Sequence, residues 1–567
     1  MRDSQCRQSL RLRETICIYL TTLLIILGVL VSSFNPPNPR HSPFPYRVPL
    51  DPQGVAELDW NVSYSQEVVY FRLLIRQLKF GIIFGMSDRG DIQNADLAVL
   101  WSDGQNSYFG GGTVHLLYRF LNRPITSVKS IDLKEMPGGL QRVQLLKPMI
   151  HTPPLPSDIK VLEVLAPNVT IPDQETTYWC YISTLPHHLP VHHIVMYEPV
   201  ITKGNEAIVH HMEVFQCAPE LDRIPSYSGP CDSRMKPPRL NFCRHVLAAW
   251  AMGAQPFHYP KDVGLMIGGA NFSKYLRLEV HYHNPLRLSG RLDSSGIRLF
   301  YTPTLRKFNA GILELGLVYT PVMAIPPGEA SFELSGYCTS RCTEQSLPED
   351  GIHIFASQLH THLAGTKVKT ILVQGGVEVD IVNVDEHYST HFQEIRLLQK
   401  EITVKPGDVL ITSCTYNTED RSHVTVGGFG INEEMCVNYI HYYPQTQLEL
   451  CKSAVDINYL QKYFTFINRI DDDRICSCPQ VPVTQQFEAV PWSPFSSQVL
   501  KAMYDFAPIS VHCNKSSAVS FPGNWEGQPL PQVTAALAKS RDHCQRSSHM
   551  APGEATVVQL TANKPGE

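Results

Sequence analysis

The chain has 567 residues, too many for one ordinary domain, and its length predicts two to four domains. A hydrophobic content of 43% and a charged content of 18% fit a packed globular protein and exclude global disorder. The net charge is −5, with no long basic run beyond the N-terminus, so nucleic-acid binding has no electrostatic support.

The N-terminus combines a basic segment with an apolar run. Four arginines lie in residues 1–15 and precede the apolar run 16–31, which predicts a cytosolic tail. The run fits either a cleaved signal peptide or an uncleaved anchor, and the lack of a clear small-x-small cleavage site favours the anchor. We predict a tail at 1–15, a signal-anchor or transmembrane segment at 16–34 and a Pro-rich stalk at 35–45.

Both interpretations place the rest of the chain in a secretory compartment. Thirteen cysteines are scattered from Cys180 to Cys544, and in an oxidising lumen such cysteines predict disulfides. Four sequons also predict luminal glycosylation, at Asn61, Asn168, Asn271 and Asn514.

The body of the chain has the pattern of a mainly β protein. Short alternating runs broken by Gly, Pro, Asn and Asp predict antiparallel sandwiches, with helices expected at 463–473 and 498–506. Pro-rich segments at 147–158 and 320–327 mark boundaries. The predicted units are 46–146, 159–320, 321–450, a C-terminal packing or dimerisation region at 451–542, and a disordered tail at 543–567.

Two histidines in QLHTH are spaced for a metal site. His360 and His362 are two residues apart, so on a strand their rings share one face. Met435 in EEMCVNY could complete the site, although a single methionine is more often a core residue. Because a thioether favours Cu(I) and imidazole suits both copper oxidation states, these donors indicate copper.

A second histidine group lies earlier in the chain. His210 and His211 are adjacent, and adjacent residues of a regular strand point to opposite faces. They can share a metal if the strand is irregular there or if they use different ring nitrogens. A third ligand could be His281 or His283, and spacing alone does not choose between them.

The other histidines are predicted to lie in a surface loop, in the core or next to the metal ligands. The Pro-flanked segment TLPHHLPVHH predicts a surface loop for His187, His188, His192 and His193. Core or supporting positions are predicted for His353, His387 and His441. No GxSxG motif, P-loop or GxGxxG before a helix is present, which excludes the usual serine hydrolase, nucleotide-binding and Rossmann signatures.

Long motifs resemble the copper type II, ascorbate-dependent monooxygenases. The segments concerned are QETTYWCYI (174–182), EPVITKGNEAIVHHMEVFQCAPE (198–220), HVLAAWAMGA (245–254), NAGILELGLVYTPVMAIPP (309–327) and SCTYNTEDR (413–421). The stretch that begins LDWNVSYSQE resembles the DOMON domain found in this family. The resemblance, which covers about 46–533, implies a DOMON-like β-sandwich, two copper-binding jelly-roll-like β-sandwiches and a short, partly helical C-terminal region.

The resemblance also implies the site residues. It implies that His210, His211 and His281 hold an electron-transfer copper, with His283 in support. The oxygen-site copper would be held by His360, His362 and Met435, and catalytic weight falls on Tyr178 and His360. The implied disulfides are Cys180–Cys231, Cys217–Cys243, Cys338–Cys451, Cys342–Cys513 and Cys414–Cys436, with Cys476 and Cys478 linking subunits.

The activity implied is hydroxylation of the benzylic carbon of dopamine to noradrenaline. It would use two copper ions per subunit, ascorbate as electron donor and O2 as co-substrate. The enzyme would be a disulfide-linked dimer or a tetramer, in the lumen and membrane of catecholamine storage vesicles, with a secreted fraction if the anchor is cleaved. The substrate ammonium needs an anion, for which Glu213 and Glu314 are candidates.

One departure from the family pattern leaves alternatives open. After residue 110 the chain lacks a block of DOMON strands, and with it the partner of Cys544, so unpaired strand edges and a free thiol are expected. A relative acting on another amine or on a peptide, a zinc hydrolase using three histidines, and a non-functional truncated isoform are the alternatives.

Overall fold

The computed structural model describes most of the chain after residue 151. It describes 152–537 except 187–188, 207, 222, 253, 285–286, 389, 391–392, 431, 471–480 and 516–518. Before residue 152 it describes 44–50, 55–63, 68–75, 81–86, 96–102, 107–108, 116–120 and 138–141. The predicted anchor, Cys476, Cys478, Cys544, the tail and the histidines at 187 and 188 lie outside these residues.

The N-terminal region contains two antiparallel sheets. The first has the strands β1 (Tyr46–Pro49), β2 (Ala56–Ser63) and β3 (Val68–Ile75) in sequential order. The second has the order β6-β5-β4-β7-β8, with strands β4 (Gly81–Met86), β5 (Asp96–Ser102), β6 (Ser107–Tyr108), β7 (Leu116–Phe120) and β8 (Gly138–Gln141). The edge strand β6 has only two residues and ends just before the deletion predicted after residue 110, and the next strand, β7, pairs with β4.

The first half of the main body is a sandwich of two larger sheets. Its strands are β9 (Lys160–Leu165), β10 (Val169–Thr170), β11 (Thr176–Thr184), β12 (His192–Val200), β13 (Val209–Cys217), β14 (Ser228–Pro230), β15 (Cys243–Ala251), β16 (Phe257–His258), β17 (Val263–Ile267), β18 (Tyr275–His283), β19 (Leu292–Asp293), β20 (Gly296–Thr302) and β21 (Phe308–Asn309). One sheet has the order β14-β11-β18-β13-β15, the other β21-β17-β12-β20-β9, and β10 pairs with β19.

The second half repeats this architecture. Its strands are β22 (Gly311–Leu317), β23 (Ala324–Ile325), β24 (Phe332–Cys338), β25 (Ile352–His360), β26 (Gly365–Gln374), β27 (Val377–Asp385), β28 (Arg396–Val404), β29 (Val409–Tyr416), β30 (Thr425–Val426), β31 (Val437–Tyr443), β32 (Leu448–Val455) and β33 (Ile509–Lys515). The sheets have the orders β28-β25-β31-β22-β32-β33 and β24-β29-β26-β27, and β23 pairs with β30. The mainly β class predicted from the sequence is confirmed.

Helices are short and lie mostly near the C-terminus. They are α1 (Ser340–Ser346), α2 (Ile457–Ile470), α3 (Val483–Glu488), α4 (Pro494–Phe506) and a 3-10 helix (Pro238–Phe242). The two predicted helices correspond to α2 and α4, and both begin earlier than predicted. The N-terminus of α4 is set by a capping box between Ser493 and Ser496.

The structure differs from the sequence analysis in where the two halves divide. The Pro-rich segment suggested a division at 320, but β22 already belongs to the sheet of the second half, where it pairs with β31 and β32. Composition could not reveal this, because the strand precedes the prolines in sequence and pairs with partners more than 120 residues later.

The prediction of a surface loop for His192 and His193 is wrong. Their side chains are buried, and both residues lie at the start of β12. The Nε2 atom of His193 lies 2.8 Å from Asn309 Oδ1, and its Nδ1 accepts a hydrogen bond from the backbone N–H of Arg306. The prolines precede the strand and do not interrupt it, so the histidines enter the sheet.

The two halves share a core. Phe355 and Ala356 of β25 belong to the hydrophobic cluster of the first half, and Phe257 of β16 lies 5.4 Å, between ring centroids, from His441 of β31. Because apolar side chains of the second half are buried in the core of the first, the two halves are held in contact.

Five disulfides close the two halves internally. They are Cys180–Cys231, Cys217–Cys243, Cys338–Cys451, Cys342–Cys513 and Cys414–Cys436, the same pairs that the resemblance implies. The pair Cys342–Cys513 joins α1 to β33 across 171 residues, so it constrains a large part of the unfolded chain.

His441 makes the shared core sensitive to pH. Its Nδ1 atom has no hydrogen-bond partner among the described residues, and burial lowers its pKa to about 3. The unfolded chain therefore takes up this proton below about pH 6.5 while the folded chain does not, and stability is lost as the pH falls. At pH 5 the loss is about 2 kcal/mol.

We expect His441→Phe to abolish this part of the pH dependence. Phenylalanine has a similar flat shape, fits between Phe257 and Phe355, and does not titrate. Urea unfolding of both proteins at pH 7 and pH 5 should show a smaller acid-induced loss in the variant, by about 2 kcal/mol. Identical losses in the two proteins would show that His441 does not control the effect.

Candidate copper centres

Three histidines of the first half converge through the same ring nitrogen. The Nδ1 atom of His211 lies 3.3 Å from Nδ1 of His210 and 3.2 Å from Nδ1 of His281. The pairing of β13 with β18 shifts between Val209 and His211, so the predicted strand irregularity is confirmed. The bulge turns two adjacent side chains toward one point.

This donor set fits a metal ion. A metal–imidazole bond is about 2.0–2.1 Å long, so nitrogens separated by 3.2 or 3.3 Å can contact one ion at near-tetrahedral angles. Nitrogen atoms of His210, His211 and His281 lie within 4.8 Å of one another, a group that does not include His283. The ring of His283 lies 6.0 Å from that of His210, as a neighbour of the group.

Tyr178 packs directly on this group. Its ring is stacked on His281, with centroids 4.4 Å apart and an angle of 10° between the planes. Burial raises the pKa of Tyr178 to about 12, helped by the carboxylates of Glu279 and Glu213. At neutral pH the side chain is therefore an uncharged phenol that keeps its O–H donor. Its stacked ring fixes the plane of the His281 ring.

The histidines of the second half present the other ring nitrogen. The ring centroids of His360 and His362 lie 5.3 Å apart, and β25 ends at His360, so His362 lies just beyond the strand. Nδ1 of His360 donates to Gln393 Oε1, and Nδ1 of His362 donates to the backbone oxygen of Glu433. An oxygen acceptor requires the proton on Nδ1, which leaves the Nε2 lone pairs for a metal.

Met435 lies close to His362, just outside the paired strands. The last pair between β25 and β31 is His360 with Val437, and His362 and Met435 each lie two residues beyond it. The N–H groups of His362 and Met435 donate to one atom, Oε2 of Glu434, at 2.9 and 3.2 Å. The two backbones are therefore adjacent, and the Met435 side chain is 6% exposed.

The two histidine groups are close enough for their charges to interact. Burial, and to a smaller extent the charge of His360, lowers the pKa of His211 to about 4. Burial also lowers the pKa of His360 to about 4, followed by the charge of His362. Burial lowers the pKa of His362 as well, so His211, His360 and His362 are neutral near pH 7, which is the state that binds metal ions.

An acidic pair lies next to the three-histidine group. Glu213 is opposite Glu279 in the pairing of β13 with β18, one row along the same sheet face from His211 and His281. Burial and the charge of Glu279 raise the pKa of Glu213 to about 7, against the opposing effect of Arg277. A cation bound beside the two carboxyl groups would relieve their repulsion and favour the ionised form of Glu213, so this position is suited to a cation.

The second candidate for binding an ammonium group, Glu314, already has a cationic partner. Nζ of Lys452 lies 2.6 Å from Glu314 Oε1, and the lysine side chain is 4% exposed. The same ammonium lies 3.8 Å from the ring centroid of Tyr319. Because this pair balances its own charge, Glu314 is less available to a substrate than Glu213.

Several residues around the sites were not found by the sequence analysis. Gln393 and Glu434 hold the second group, and Glu279 completes the acidic pair. Glu279 could have been found, because it lies two residues before His281 and shares its face on a strand. Gln393 lies in a connection with no pattern, and its sequence position gives no signal.

The four predicted glycosylation sites differ in exposure. Asn168 and Asn271 are exposed, whereas Asn61 and Asn514 are partly buried. Within the described residues, no helix has the length and apolar character that a membrane crossing needs.

Comparisons with known proteins agree with this geometry. The model of the N-terminal domain of copper type II ascorbate-dependent monooxygenases matches residues 162–289, and that of the C-terminal domain matches residues 308–464. The chain is 58% identical to dopamine beta-hydroxylase of Homo sapiens and 56% identical to that of Bos taurus; these alignments cover 98% and 97% of the chain, and 98% of each relative. Tyramine beta-hydroxylase of Caenorhabditis briggsae is 41% identical, over 66% of this chain and 64% of its own.

The alignment with the human relative also shows that the chain is shortened. It extends over 602 positions, whereas the chain has 567 residues, so at least 35 aligned positions are absent here. Both matched copper domains lie within the part of the chain that the structure describes most fully.

Proposed function

The chain belongs to the copper type II ascorbate-dependent monooxygenase family, and from this premise we propose that it hydroxylates the benzylic carbon of dopamine to noradrenaline. The proposal rests on the near full-length similarity to dopamine beta-hydroxylases. The observation that carries it is the pair of unlike histidine groups, three converging Nδ1 atoms in the first half and two imidazoles in the second half, where the backbone of Met435 lies beside that of His362.

Each donor set has its own role in this proposal. His210, His211 and His281 would hold the electron-transfer copper, and His360, His362 and Met435 the copper of the oxygen site. When bound, the two ions supply the redox chemistry that connects ascorbate to O2. The thioether supports the reduced state, because soft sulfur ligands favour Cu(I).

The protein's own groups position the ligands and the substrate. Tyr178 fixes the ring plane of His281 by stacking, and Gln393 fixes the tautomer of His360. We assign catalytic roles to Tyr178 and His360, as the family resemblance implies. Glu213, with Glu279 beside it, is the proposed partner of the substrate ammonium, and Glu314 is the weaker candidate because Lys452 already pairs with it.

Cellular placement and assembly are part of the proposal. The apolar run at 16–34 supports an anchor or signal, and we propose the lumen and membrane of catecholamine storage vesicles as the site of action. Cys476 and Cys478 are proposed to link subunits into a dimer or tetramer. The domain organisation follows the sequence analysis, with the second copper domain beginning at β22.

The proposal is tested by secretion of the full chain from a eukaryotic host. We expect two copper ions per subunit and ascorbate-dependent conversion of dopamine to noradrenaline. A glycine-extended peptide, offered in competition, should be a poor substrate, since a peptide carboxylate would meet the acidic pair. Preferred hydroxylation of the peptide would favour the alternative of a peptide-acting relative, and fewer than two coppers in a folded protein would contradict the two-site assignment.

A further inference from the structure

A buried carboxylate connects the two chain segments that carry different ligands of the second copper site. Glu434 is fully buried. Its Oε2 accepts the N–H groups of His362 at 2.9 Å and Met435 at 3.2 Å, and its Oε1 accepts that of Ala364 at 2.6 Å. We propose that Glu434 is the positioning residue that sets the distance between His362 and Met435, an inference that rests on the proposed function of these two residues as ligands.

The ladder itself does not hold these ligands. β25 ends at His360 and β31 begins at Val437, so His362 and Met435 lie beyond the last paired residues. Their N–H groups need other acceptors, since a buried unpaired N–H is costly. Oε2 of Glu434 accepts both N–H groups. This bridge takes the place of the strand-to-strand hydrogen bonds that end at His360 and Val437.

Two links join the segments: the hydrogen bond from His362 Nδ1 to the backbone oxygen of Glu433 at 3.0 Å orients the imidazole, and the Glu434 carboxylate joins the two backbones. Met435 is also held through its backbone oxygen, which accepts the Tyr416 hydroxyl at 2.8 Å, and through the neighbouring disulfide Cys414–Cys436. These contacts fix Met435 to β29. The N–H of Thr361 donates to the Tyr388 hydroxyl at 2.9 Å. This contact holds the segment that carries His362 without involving Met435.

A methionine ligand is sensitive to such placement. Its side chain has three rotatable bonds and no strong preference for one conformation. A shift of the backbone by a fraction of an ångström changes which conformations reach the metal. Groups that position ligands in this way are worth about 10- to 100-fold in metal affinity or activity.

The test replaces Glu434 by glutamine in the full-length, copper-loaded protein. Glutamine keeps the shape, but its NH2 group faces a backbone N–H and removes one acceptor. The matched control is Asp408→Asn, a buried carboxylate of the same half that accepts Lys405 N–H at 2.8 Å and Gln374 Nε2 at 2.9 Å. Copper per subunit, copper–sulfur scattering of the reduced protein, and kcat and KM for dopamine are measured for both.

We expect Glu434→Gln to lose most of the copper–sulfur signal and to lower kcat about 10- to 100-fold, with an unchanged KM and with the three-histidine copper retained. Asp408→Asn should keep the parental signal and kcat even if its melting temperature falls. If Glu434→Gln is not secreted, Glu434→Asp is measured instead, with the same expectations, because it keeps the charge and shortens the reach.

The proposal is overturned if Glu434→Gln keeps the parental copper–sulfur signal and kcat, or if it loses both coppers together. It is also overturned if Asp408→Asn loses as much of the signal and of kcat as Glu434→Gln does. Failure of the proposed function looks different. In that case the parental protein itself lacks two coppers or dopamine hydroxylation, whatever the variant does.

Discussion

Replacing Met435 by leucine is expected to reduce kcat for dopamine by roughly 100-fold or more, since loss of a direct ligand should exceed the effect of losing a group that only positions one. Leucine has nearly the same volume, and such exchanges in a core usually cost less than about 1.5 kcal/mol. The fold should therefore persist while the sulfur donor is lost. Because the backbone N–H groups of Met435 and His362 donate to the same Glu434 oxygen, Met435 lies beside the second site, and the effect should be confined to that site.

Metal content separates this effect from a general one. The variant should keep the copper held by His210, His211 and His281 and lose affinity for reduced copper at the other site. A suitable control is Met196→Leu, at a buried position on β12 in the first half, which should keep both coppers and parental activity. A Met435→Leu protein with two tightly bound Cu(I) ions and unchanged kcat would show that this thioether is not a ligand.

Replacing Glu213 by glutamine is expected to raise KM for dopamine by roughly 10- to 100-fold, the range set by one hydrogen bond to a charged group. The substitution removes the charge that would face the substrate ammonium and leaves the packing. KM for 2-phenylethanol, which has the same ring but no ammonium group, should change little. The comparison of the two substrates reports on charge recognition alone, and copper content should stay at the parental value.

The matched variant is Glu314→Gln. Since Lys452 pairs with Glu314 and is itself buried, this substitution leaves a lysine charge without its partner. We expect lower stability and similar, modest changes in KM for both substrates. The assignment would reverse if Glu314→Gln selectively impaired the use of dopamine and Glu213→Gln did not. Equal effects on the two substrates in both variants would exclude both carboxylates.

All six proposed copper ligands are present in this chain. The deletion that the sequence predicts after residue 110 would precede the first of them, His210. The N-terminal sheets consist of β1 to β8, whereas the proposed copper ligands lie on β13, β18 and β25, just after β25 and just before β31. The chemistry of the two centres therefore depends on the two later sandwiches and on the contact between them.

Local spacing in the sequence was enough to predict the β class and part of each donor set. Strand alternation predicted a shared face for His360 and His362, whose rings do lie 5.3 Å apart although β25 ends at His360. The adjacency of His210 and His211 predicted either an irregular strand or the use of different ring nitrogens, and the structure has the irregular strand. These features depend on neighbours within a few residues, and the geometry of a single strand determines them. The choice of His281 over His283, and the five disulfides, were implied by resemblance and not by spacing.

Tertiary structure alone decided the partners of these residues. The pairing of Glu314 with Lys452 joins positions 138 residues apart, and Glu434 meets His362 across 72 residues. The burial of His192 and His193 likewise follows from the strands that pair with β12. The charge and hydrogen-bond acceptors around a side chain depend on strands that lie far away in sequence, so no local pattern contains that information.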